Sequence, residues 1–257
     1  GMTNTPSIVQ TAQPFLLAVC RMPGAIADDE LETVIDWGRL DPNSGIETIS
    51  LVDEDAVDPA SLDLSRYSGV IITGSPFGFG QDENRKSREH QVMERRILAL
   101  SKRLVEEDVP TLGICFGLQA IVKALGGELV EGYGEDLQAP RMTLTPEAAG
   151  DPLTADMPQV FYGYTGHAEA VGDVPGDGVV LATGDYCRVQ MVRWGENVYG
   201  TQFHPEITRE GMRIRINTYG DTYYPADERA AVIARCDAAE VAESNRLITK
   251  FVARYSS

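Results

Sequence analysis

A cysteine stands between a short apolar run and a stretch with helical spacing. Residues 109–119 read Val-Pro-Thr-Leu-Gly-Ile-Cys-Phe-Gly-Leu-Gln, and the apolar residues continue up to Ile114, next to Cys115. After Cys115 the apolar side chains recur every three or four positions, until Gly126 and Gly127 end the pattern. The sequence therefore predicts a buried strand that turns at Cys115 directly into a helix.

Such a corner suits a nucleophilic cysteine. Gly113 and Gly117 flank it two positions away on either side, where small residues avoid clashes in a sharp strand-to-helix turn. The N-terminus of the helix offers free N–H groups and the positive end of a dipole, which lower the pKa of a thiol. The N–H of Phe116 would face an oxyanion formed at Cys115. An ordinary buried cysteine at a strand end is the alternative.

A thiolate also needs a base, and the chain has three histidines. His204 follows an apolar run, and Glu206 lies two residues further on, close enough for its carboxylate to orient the imidazole. His90 falls on the polar face of a helix predicted over residues 88–106 and is interpreted as solvated. His-Pro-Glu could also be a surface turn, but the two stretches together favour a triad of Cys115, His204 and Glu206.

Strand-like and helix-like stretches alternate in the first half of the chain. The strand-like runs cover residues 15–20, 47–52, 69–74 and 109–114, and the helix-like stretches cover residues 27–40 and 88–106. This order predicts an α/β fold with a mostly parallel central sheet and helices on both faces. Sites in such sheets lie beyond the carboxyl ends of the strands. The glycine-rich loop at residues 74–80 is therefore expected beside Cys115, where its free N–H groups could form the other half of an oxyanion hole. A flexible turn is the alternative.

The sequence pattern changes in the second half of the chain. Short strand-like pieces separated by turns between residues 128 and 203 predict antiparallel or mixed strands that extend the sheet. Residues 207–224 read as irregular, and their aromatic end, residues 219–224, is interpreted as a lid, a partner surface or local packing. Residues 225–255 read as mostly helical. We predict a single domain over residues 15–257, with a core at 15–207 and a helical C-terminal extension at 208–257, after a disordered or frayed N-terminus at 1–14.

The composition excludes several classes of protein. The chain has 257 residues, of which 43% are hydrophobic and 24% charged, as in ordinary globular domains. A net charge of −17 argues against nucleic acid as a partner. No apolar run approaches membrane length and no signal peptide is evident, so we expect no membrane contact and a cytoplasmic location. The four cysteines have neither CxxC spacing nor a nearby histidine, so no disulfide framework, metal site or cofactor is expected. They are Cys20, Cys115, Cys187 and Cys236.

The paired motifs resemble the class I glutamine amidotransferases. Residues 113–119, followed some ninety residues later by residues 203–206, are similar to the nucleophile and base motifs of that family, in its GMP-synthase-like branch. Residues 72–76, Ile-Thr-Gly-Ser-Pro, resemble its first oxyanion strand. Residues 164–169 resemble a segment that carries His-x-Asp, with Glu169 in place of the aspartate. The resemblance covers residues 15–207 and implies a flavodoxin-like fold with additional antiparallel strands.

The resemblance also implies a reaction. Cys115 would attack the side-chain amide of glutamine and form a γ-glutamyl thioester. His204 would protonate the departing ammonia and then activate water, while Glu206 orients His204. The remaining residues that the resemblance implies are the oxyanion-hole donors Gly74 and Phe116 and the substrate-binding residues Gln119 and Ser75.

Three uses of such a site stay open. The chain could be an amidotransferase that passes ammonia from glutamine to a separate synthetase subunit, since it carries no SGGxD loop or Walker motif of an ATP-activating domain. It could be a hydrolase of γ-glutamyl peptides with the same triad. It could also be a catalytically silent binding or regulatory module, which the intact Cys115, His204 and Glu206 disfavour.

Overall fold

The computed structural model describes residues 7–220 and 224–257. The strands in these residues are β1 (Phe15–Val19), β2 (Ile46–Ser50), β3 (Gly69–Ile72), β4 (Thr111–Ile114), β5 (Leu129–Val130), β6 (Glu135–Gln138), β7 (Arg141–Leu144), β8 (Val160–Tyr162), β9 (Thr165–His167), β10 (Ala170–Val171), β11 (Val179–Gly184), β12 (Met191–Trp194) and β13 (Val198–Thr201). The helices are α1 (Ala25–Gly38), α2 (Arg88–Glu106), α3 (Phe116–Ala124), α4 (Arg209–Tyr219), α5 (Arg229–Asp237) and α6 (Ala242–Tyr255).

The central sheet has nine strands in the order β2-β1-β3-β4-β13-β12-β11-β7-β8. The first five are parallel, and the last four extend the sheet by antiparallel pairing. Two small antiparallel pairs, β5 with β10 and β6 with β9, lie outside it. The α/β class, the parallel core and the antiparallel extension predicted from the sequence are therefore confirmed.

Both faces of the parallel half are covered, which its alternating side chains explain. Phe15 and Leu17 of β1 belong to a core cluster with the apolar residues of α1 and α6. Leu16 and Ala18 point the other way and pack with α2 and the start of α3. A strand buried on both faces must be apolar at every position, and β1 is.

The strand order brings the candidate chemistry to one edge. Strands β3, β4 and β13 are neighbours, with Ile72 opposite Gly113 and Ile114 opposite Thr201. The N–H of Cys115 continues the ladder by donating to the Thr201 carbonyl at 2.6 Å. Because the three strands are parallel, the segments that follow them meet beyond their carboxyl ends.

The prediction that residues 207–224 are irregular is wrong, because α4 occupies most of this segment. Thr208 caps the helix by accepting a hydrogen bond from the N–H of Gly211 at 3.1 Å. Met212 and Ile216 form a narrow buried stripe, and polar residues that surround it obscure the helical period in the sequence. Residues 221–223, within the aromatic segment singled out in the sequence, lie outside the described residues.

Residues 7–14 lack regular secondary structure but hydrogen-bond to the rest of the chain. The N–H of Val9 donates to the Arg39 carbonyl, and the N–H of Ala12 donates to the Ser256 carbonyl, both at 2.8 Å. Residues 1–6 of the N-terminus that we expected to be frayed lie outside the described part. The proposed division into a core and an extension stays a prediction. No helix in the described ranges combines the length and the apolar character needed to cross a membrane.

Candidate active site

Cys115 occupies a strained corner between β4 and α3. Its backbone has φ 52° and ψ −96°, a conformation that residues with a side chain rarely adopt. The corner is tight because two glycines touch: a Cβ on Gly113 would lie 2.8 Å from the carbonyl carbon of Gly117. This is the strand-to-helix turn that the sequence predicts, and it places the Cys115 side chain at the N-terminus of a helix.

His204 and Glu206 stand opposite this corner. The N–H of His204 donates to the Tyr164 carbonyl at 2.8 Å, which fixes the backbone just beyond β13. Both carboxylate oxygens of Glu206 lie close to His204 Nδ1, at 3.0 and 3.2 Å. The imidazole also forms a side-chain hydrogen bond with Cys115. The three residues that the sequence analysis grouped are thus in one hydrogen-bonded line.

The mutual interactions of these three side chains favour an ion pair despite their burial. Burial opposes ionisation of the Cys115 thiol, but the charge and hydrogen bond of His204 outweigh it, so the pKa of the thiol is lowered. Burial likewise opposes the charged imidazole, yet Glu206 and Cys115 raise the pKa of His204 to about 10. Glu206, 1% exposed, keeps a lowered pKa against its own burial because of His204 and Arg215. The geometry thus favours a thiolate beside an imidazolium at neutral pH.

Two glutamines stand next to the thiol. Gln202 donates its side-chain amide to Cys115 Sγ at 3.4 Å, a contact that the sequence analysis missed. Gln202 lies two positions before His204, and this spacing on an extended segment is the signal that could have indicated it. Gln119, predicted to bind substrate, is buried and donates to the Glu169 carbonyl at 2.9 Å and to Gln202 at 3.3 Å.

The glycine-rich loop after β3 reaches the site as expected. Gly74 packs against the imidazole so closely that a Cβ there would lie 2.8 Å from His204 Cε1. Ser75 lines the cavity beside Cys115, and its hydroxyl accepts from the N–H of Phe77 at 3.0 Å. Phe116 is the first residue of α3, so its N–H has no acceptor within the helix.

The interpretation of His90 as a solvated residue is wrong. His90 is 2% exposed, and its Nε2 lies 2.8 Å from the carbonyl of Gly78. Its ring stacks on Phe77 with centroids 4.9 Å apart. His90 therefore packs against the glycine-rich loop, which covers this face of α2.

A cavity of about 610 Å³ opens in front of Cys115. Its far wall is the segment around Glu169, whose carboxylate accepts from the N–H of Gly80 at 2.9 Å and so joins this wall to the glycine-rich loop. Tyr219 of α4 lies at its margin, which brings the C-terminal region to the site. The lining residues that bear on function are Ser75, Cys115, Phe116, Gln119, Glu135, His167 and Glu169.

A second polar cluster includes two residues of the cavity lining, Glu135 and His167. Glu135, His167 and Cys187 bring one ligand atom each within 4.8 Å of the others. Burial opposes the charge on His167, but hydrogen bonds with Cys187 and Glu135 raise the pKa of His167 to about 10. No metal-binding group was predicted from the sequence, because these residues come from three distant segments.

A cysteine on a strand-to-helix corner, opposite a His–Glu pair from the adjacent parallel strand, defines an α/β protein with a nucleophile-elbow site. The sequence model of the family described as "Glutamine amidotransferase class-I" matches residues 46–217. The chain therefore belongs to the class I glutamine amidotransferases, and the resemblance seen in the sequence is confirmed.

The curated relatives are longer proteins. The GMP synthase [glutamine-hydrolyzing] of Shewanella oneidensis is 28% identical over 156 residues, which cover 57% of this chain and 27% of that protein. The corresponding protein of Klebsiella pneumoniae is 29% identical over 156 residues, with the same coverage. The chain thus spans about a quarter of the length of these relatives.

Solved structures share the fold over nearly the whole chain. A glutamine amidotransferase from Thermotoga maritima superposes with a TM-score of 0.73 at 17% identity, covering 95% of this chain and 99% of its own. A glutamine amido transferase from Methylobacillus flagellatus gives 0.66 at 18% identity, covering 95% and 94%. At these identities the likeness concerns the fold.

Proposed function

We propose that this protein hydrolyses the side-chain amide of glutamine, or of a γ-glutamyl compound, through a thioester on Cys115 and releases ammonia. The observation that carries the proposal is the hydrogen-bonded line from Cys115 through His204 to Glu206, set at a strained corner that opens into a cavity. Family membership supports the reaction class.

In the first half of the reaction the Cys115 thiolate attacks the amide carbon, and the C=O π electrons move to the oxygen. The N–H groups of Phe116 and Gly74 are placed to stabilise that oxyanion. When the tetrahedral intermediate collapses, the C–N bond breaks and the imidazolium of His204 gives its Nε2 proton to the leaving ammonia. A γ-glutamyl thioester and a neutral His204 remain.

In the second half, neutral His204 takes a proton from water as the water oxygen attacks the thioester. Collapse of this intermediate breaks the C–S bond, releases glutamate and returns the Cys115 thiolate beside a charged His204. Glu206 holds Nδ1–H throughout, so that Nε2 is the nitrogen that exchanges protons. Gln202 donates to the sulfur and stabilises its anionic form.

We infer that the released ammonia passes to a synthetase partner. The supporting observation is that the curated relatives are GMP synthases and align with this chain over 27% of their length. A hydrolase of γ-glutamyl peptides is the second candidate. A cavity of 610 Å³ lies within the range of about 300–1,000 Å³ that holds drug-sized ligands, which leaves room for a residue attached to the γ-glutamyl group.

Glutamate release by the purified chain tests the proposal. With glutamine and a panel of γ-glutamyl dipeptides as substrates, we expect Cys115→Ala to lower kcat by about 10⁴-fold or more. Cys236→Ala removes another buried free thiol, one that packs among α4 and α5, and should keep wild-type activity. Undiminished turnover by folded Cys115→Ala would remove the nucleophile assignment.

The substrate panel separates the two uses of the site. Fast turnover of a dipeptide with slow turnover of glutamine favours the hydrolase. Slow turnover of every substrate, with a Cys115 thiol that still reacts with iodoacetamide, favours a subunit that requires its synthetase. A protein with neither turnover nor a reactive thiol would instead be a silent binding module.

A further inference from the structure

The cluster of Glu135, His167 and Cys187 is built from three separate parts of the fold. Glu135 on β6 and His167 on β9 are directly opposed across a strand pair, and His167 Nε2 lies 2.8 Å from Glu135 Oε1. Cys187 comes from the loop between β11 and β12, and its Sγ lies within 4.8 Å of the ligand atoms of Glu135 and His167. The side chains of His167 and Glu135 are 2% and 3% exposed. These ionisable groups are therefore held together away from water.

The hydrogen bond at the other ring nitrogen fixes the tautomer of His167. Nδ1 lies 2.7 Å from the carbonyl oxygen of Glu169, which can only accept, so Nδ1 carries a proton. In the neutral imidazole the lone pair of Nε2 then faces the Glu135 carboxylate, which is also an acceptor. A contact of 2.8 Å between these two atoms requires a proton or a metal ion between them.

The surroundings resemble the support that metal ligands receive in proteins. A ligating histidine commonly donates its other N–H to a backbone carbonyl, as His167 does to Glu169. Gln190, which is fully buried, donates to Glu135 Oε1 at 3.0 Å and so orients the carboxylate. Within the described residues the other amide atom of Gln190, Oε1, has no hydrogen-bond partner, which marks an unmatched acceptor next to the cluster.

We propose that Glu135, His167 and Cys187 bind a divalent transition-metal ion of the zinc class. A thiolate, an imidazole and a carboxylate form a mixed set of sulfur, nitrogen and oxygen donors that suits Zn²⁺. Mg²⁺ and Ca²⁺ prefer oxygen donors alone. The ion would replace the Nε2 proton of His167 and the thiol proton of Cys187, so that binding releases up to two protons to solvent.

Such an ion would join β6, β9 and the loop that carries Cys187. Glu135 and His167 line the same cavity as Cys115, so the metal centre and the proposed nucleophile would share one chamber. Three protein ligands leave one position of a tetrahedral ion for water or a ligand. The proposal does not depend on the reaction proposed above, since the triad and the cluster have no residue in common.

Cobalt titration of the full chain tests the site with a readout independent of turnover. After removal of metals by chelation, Co²⁺ is added while the near-ultraviolet thiolate-to-cobalt charge-transfer band and the bound metal per chain are measured. We expect one Co²⁺ per chain and displacement of the band by Zn²⁺. Cys187→Ser should abolish the band, whereas Cys236→Ser, which alters a buried free thiol elsewhere, should retain it.

Two further variants keep the test decisive. Cys115→Ser should retain the band, and its loss there would place the ion on the proposed catalytic thiol and overturn the proposal. Glu135→Gln preserves the size of the side chain and its contact with Gln190 but loses the anionic ligand, so we expect Zn²⁺ affinity to fall at least about 10-fold. If Cys187→Ser does not fold, unchanged Zn²⁺ affinity in Glu135→Gln overturns the proposal, as does wild-type protein that takes up no stoichiometric metal.

Discussion

The chemistry at the proposed nucleophile depends on charge balance among three buried side chains. The pKa of Cys115 is lowered and that of His204 is raised to about 10, and each shift depends on the other group. Glu206 adds the negative charge that keeps His204 protonated while it faces a thiolate. A buried ion pair of this kind is maintained only when its remaining hydrogen-bonding positions are satisfied. Here Glu206 satisfies Nδ1 of His204.

Removing the charge of Glu206 tests this balance. Glu206→Gln should lower kcat by about 10²- to 10⁴-fold with little change in KM, because His204 loses both its orienting carboxylate and the charge that raises its pKa. In the wild type the thiolate–imidazolium pair forms as the pH rises above the lowered pKa of the Cys115 thiol. It is lost when His204 deprotonates at about pH 10. The variant should lose the imidazolium at a lower pH, so the alkaline limit of the kcat profile moves down.

The measurement is kcat against pH for wild type and variant, beside the rate of Cys115 alkylation by iodoacetamide. Glu210→Gln, at an exposed carboxylate four positions along the chain, is the matched control and should keep both profiles. An alkaline limit that stays in place in Glu206→Gln would show that this carboxylate does not control the protonation of His204.

Local patterns explain which site residues could be found from the sequence. Cys115 was evident because its neighbours on both sides define a strand, a turn and a helix, and His204 because Glu206 follows two positions later. Gln202 contacts Cys115 across 87 positions of chain, and His90 is buried by a contact across 12 positions. A local sequence pattern does not reveal such contacts. Glu135 is likewise brought to the ring of His167 only by the pairing of β6 with β9.

At the scale of elements, the corner between β4 and α3 depends on the absence of side chains. Gly113 faces the backbone of Gly117, and Gly117 faces Ile72 on β3, where an added Cβ would lie 2.9 Å from the Ile72 Cβ. The strand, the helix and the adjacent strand therefore pack more closely than any larger residue allows. This close packing holds Cys115 at positive φ, since the surrounding elements leave it no relaxed alternative.

Adding one methyl group at this contact should disturb both stability and reactivity. Gly113→Ala places a Cβ 2.8 Å from backbone atoms that cannot move aside, so we expect a loss of about 1–3 kcal/mol in the free energy of unfolding. The displaced corner should also slow alkylation of Cys115. Gly150→Ala is the control, because a Cβ at Gly150 meets no atom within 4 Å. Equal stability of the two variants in urea would contradict a packing role for Gly113.

Elements with a strong apolar period were predictable, and those stabilised by long-range contacts were not. Strands β1 and β3 were placed correctly because each is a buried apolar run, whereas β2, at the edge of the sheet, mixes buried and exposed residues. Helix α4 was missed because only a narrow stripe of it is apolar and a buried charge, Arg215, takes one of its inward positions. The pair β6 and β9 was missed because two short polar segments carry no alternation until their partner is known.

At the scale of the whole molecule, the C-terminal region contributes to the electrostatics of the site. Arg215 of α4 is 3% exposed and contacts Asp29 of α1 at 2.8 Å. Its positive charge also lowers the pKa of Glu206. Helix α4 therefore supplies a buried cation between two carboxylates, one on the opposite helix and one in the proposed triad.

Replacing this cation should cost more than replacing an arginine on the surface of the same helix. Arg215→Met leaves Asp29 and Glu206 buried without their shared counter-charge, so we expect the free energy of unfolding to fall by about 3–5 kcal/mol and kcat to fall with it. Arg213→Met removes a pair with Asp237 whose side chains are 43% and 41% exposed, and should cost about 1 kcal/mol or less. Urea unfolding and glutaminase assays on both variants measure the difference. Similar losses in the two variants would mean that α4 contributes packing alone, and a stability loss in Arg215→Met without a change in kcat would separate the fold from the chemistry.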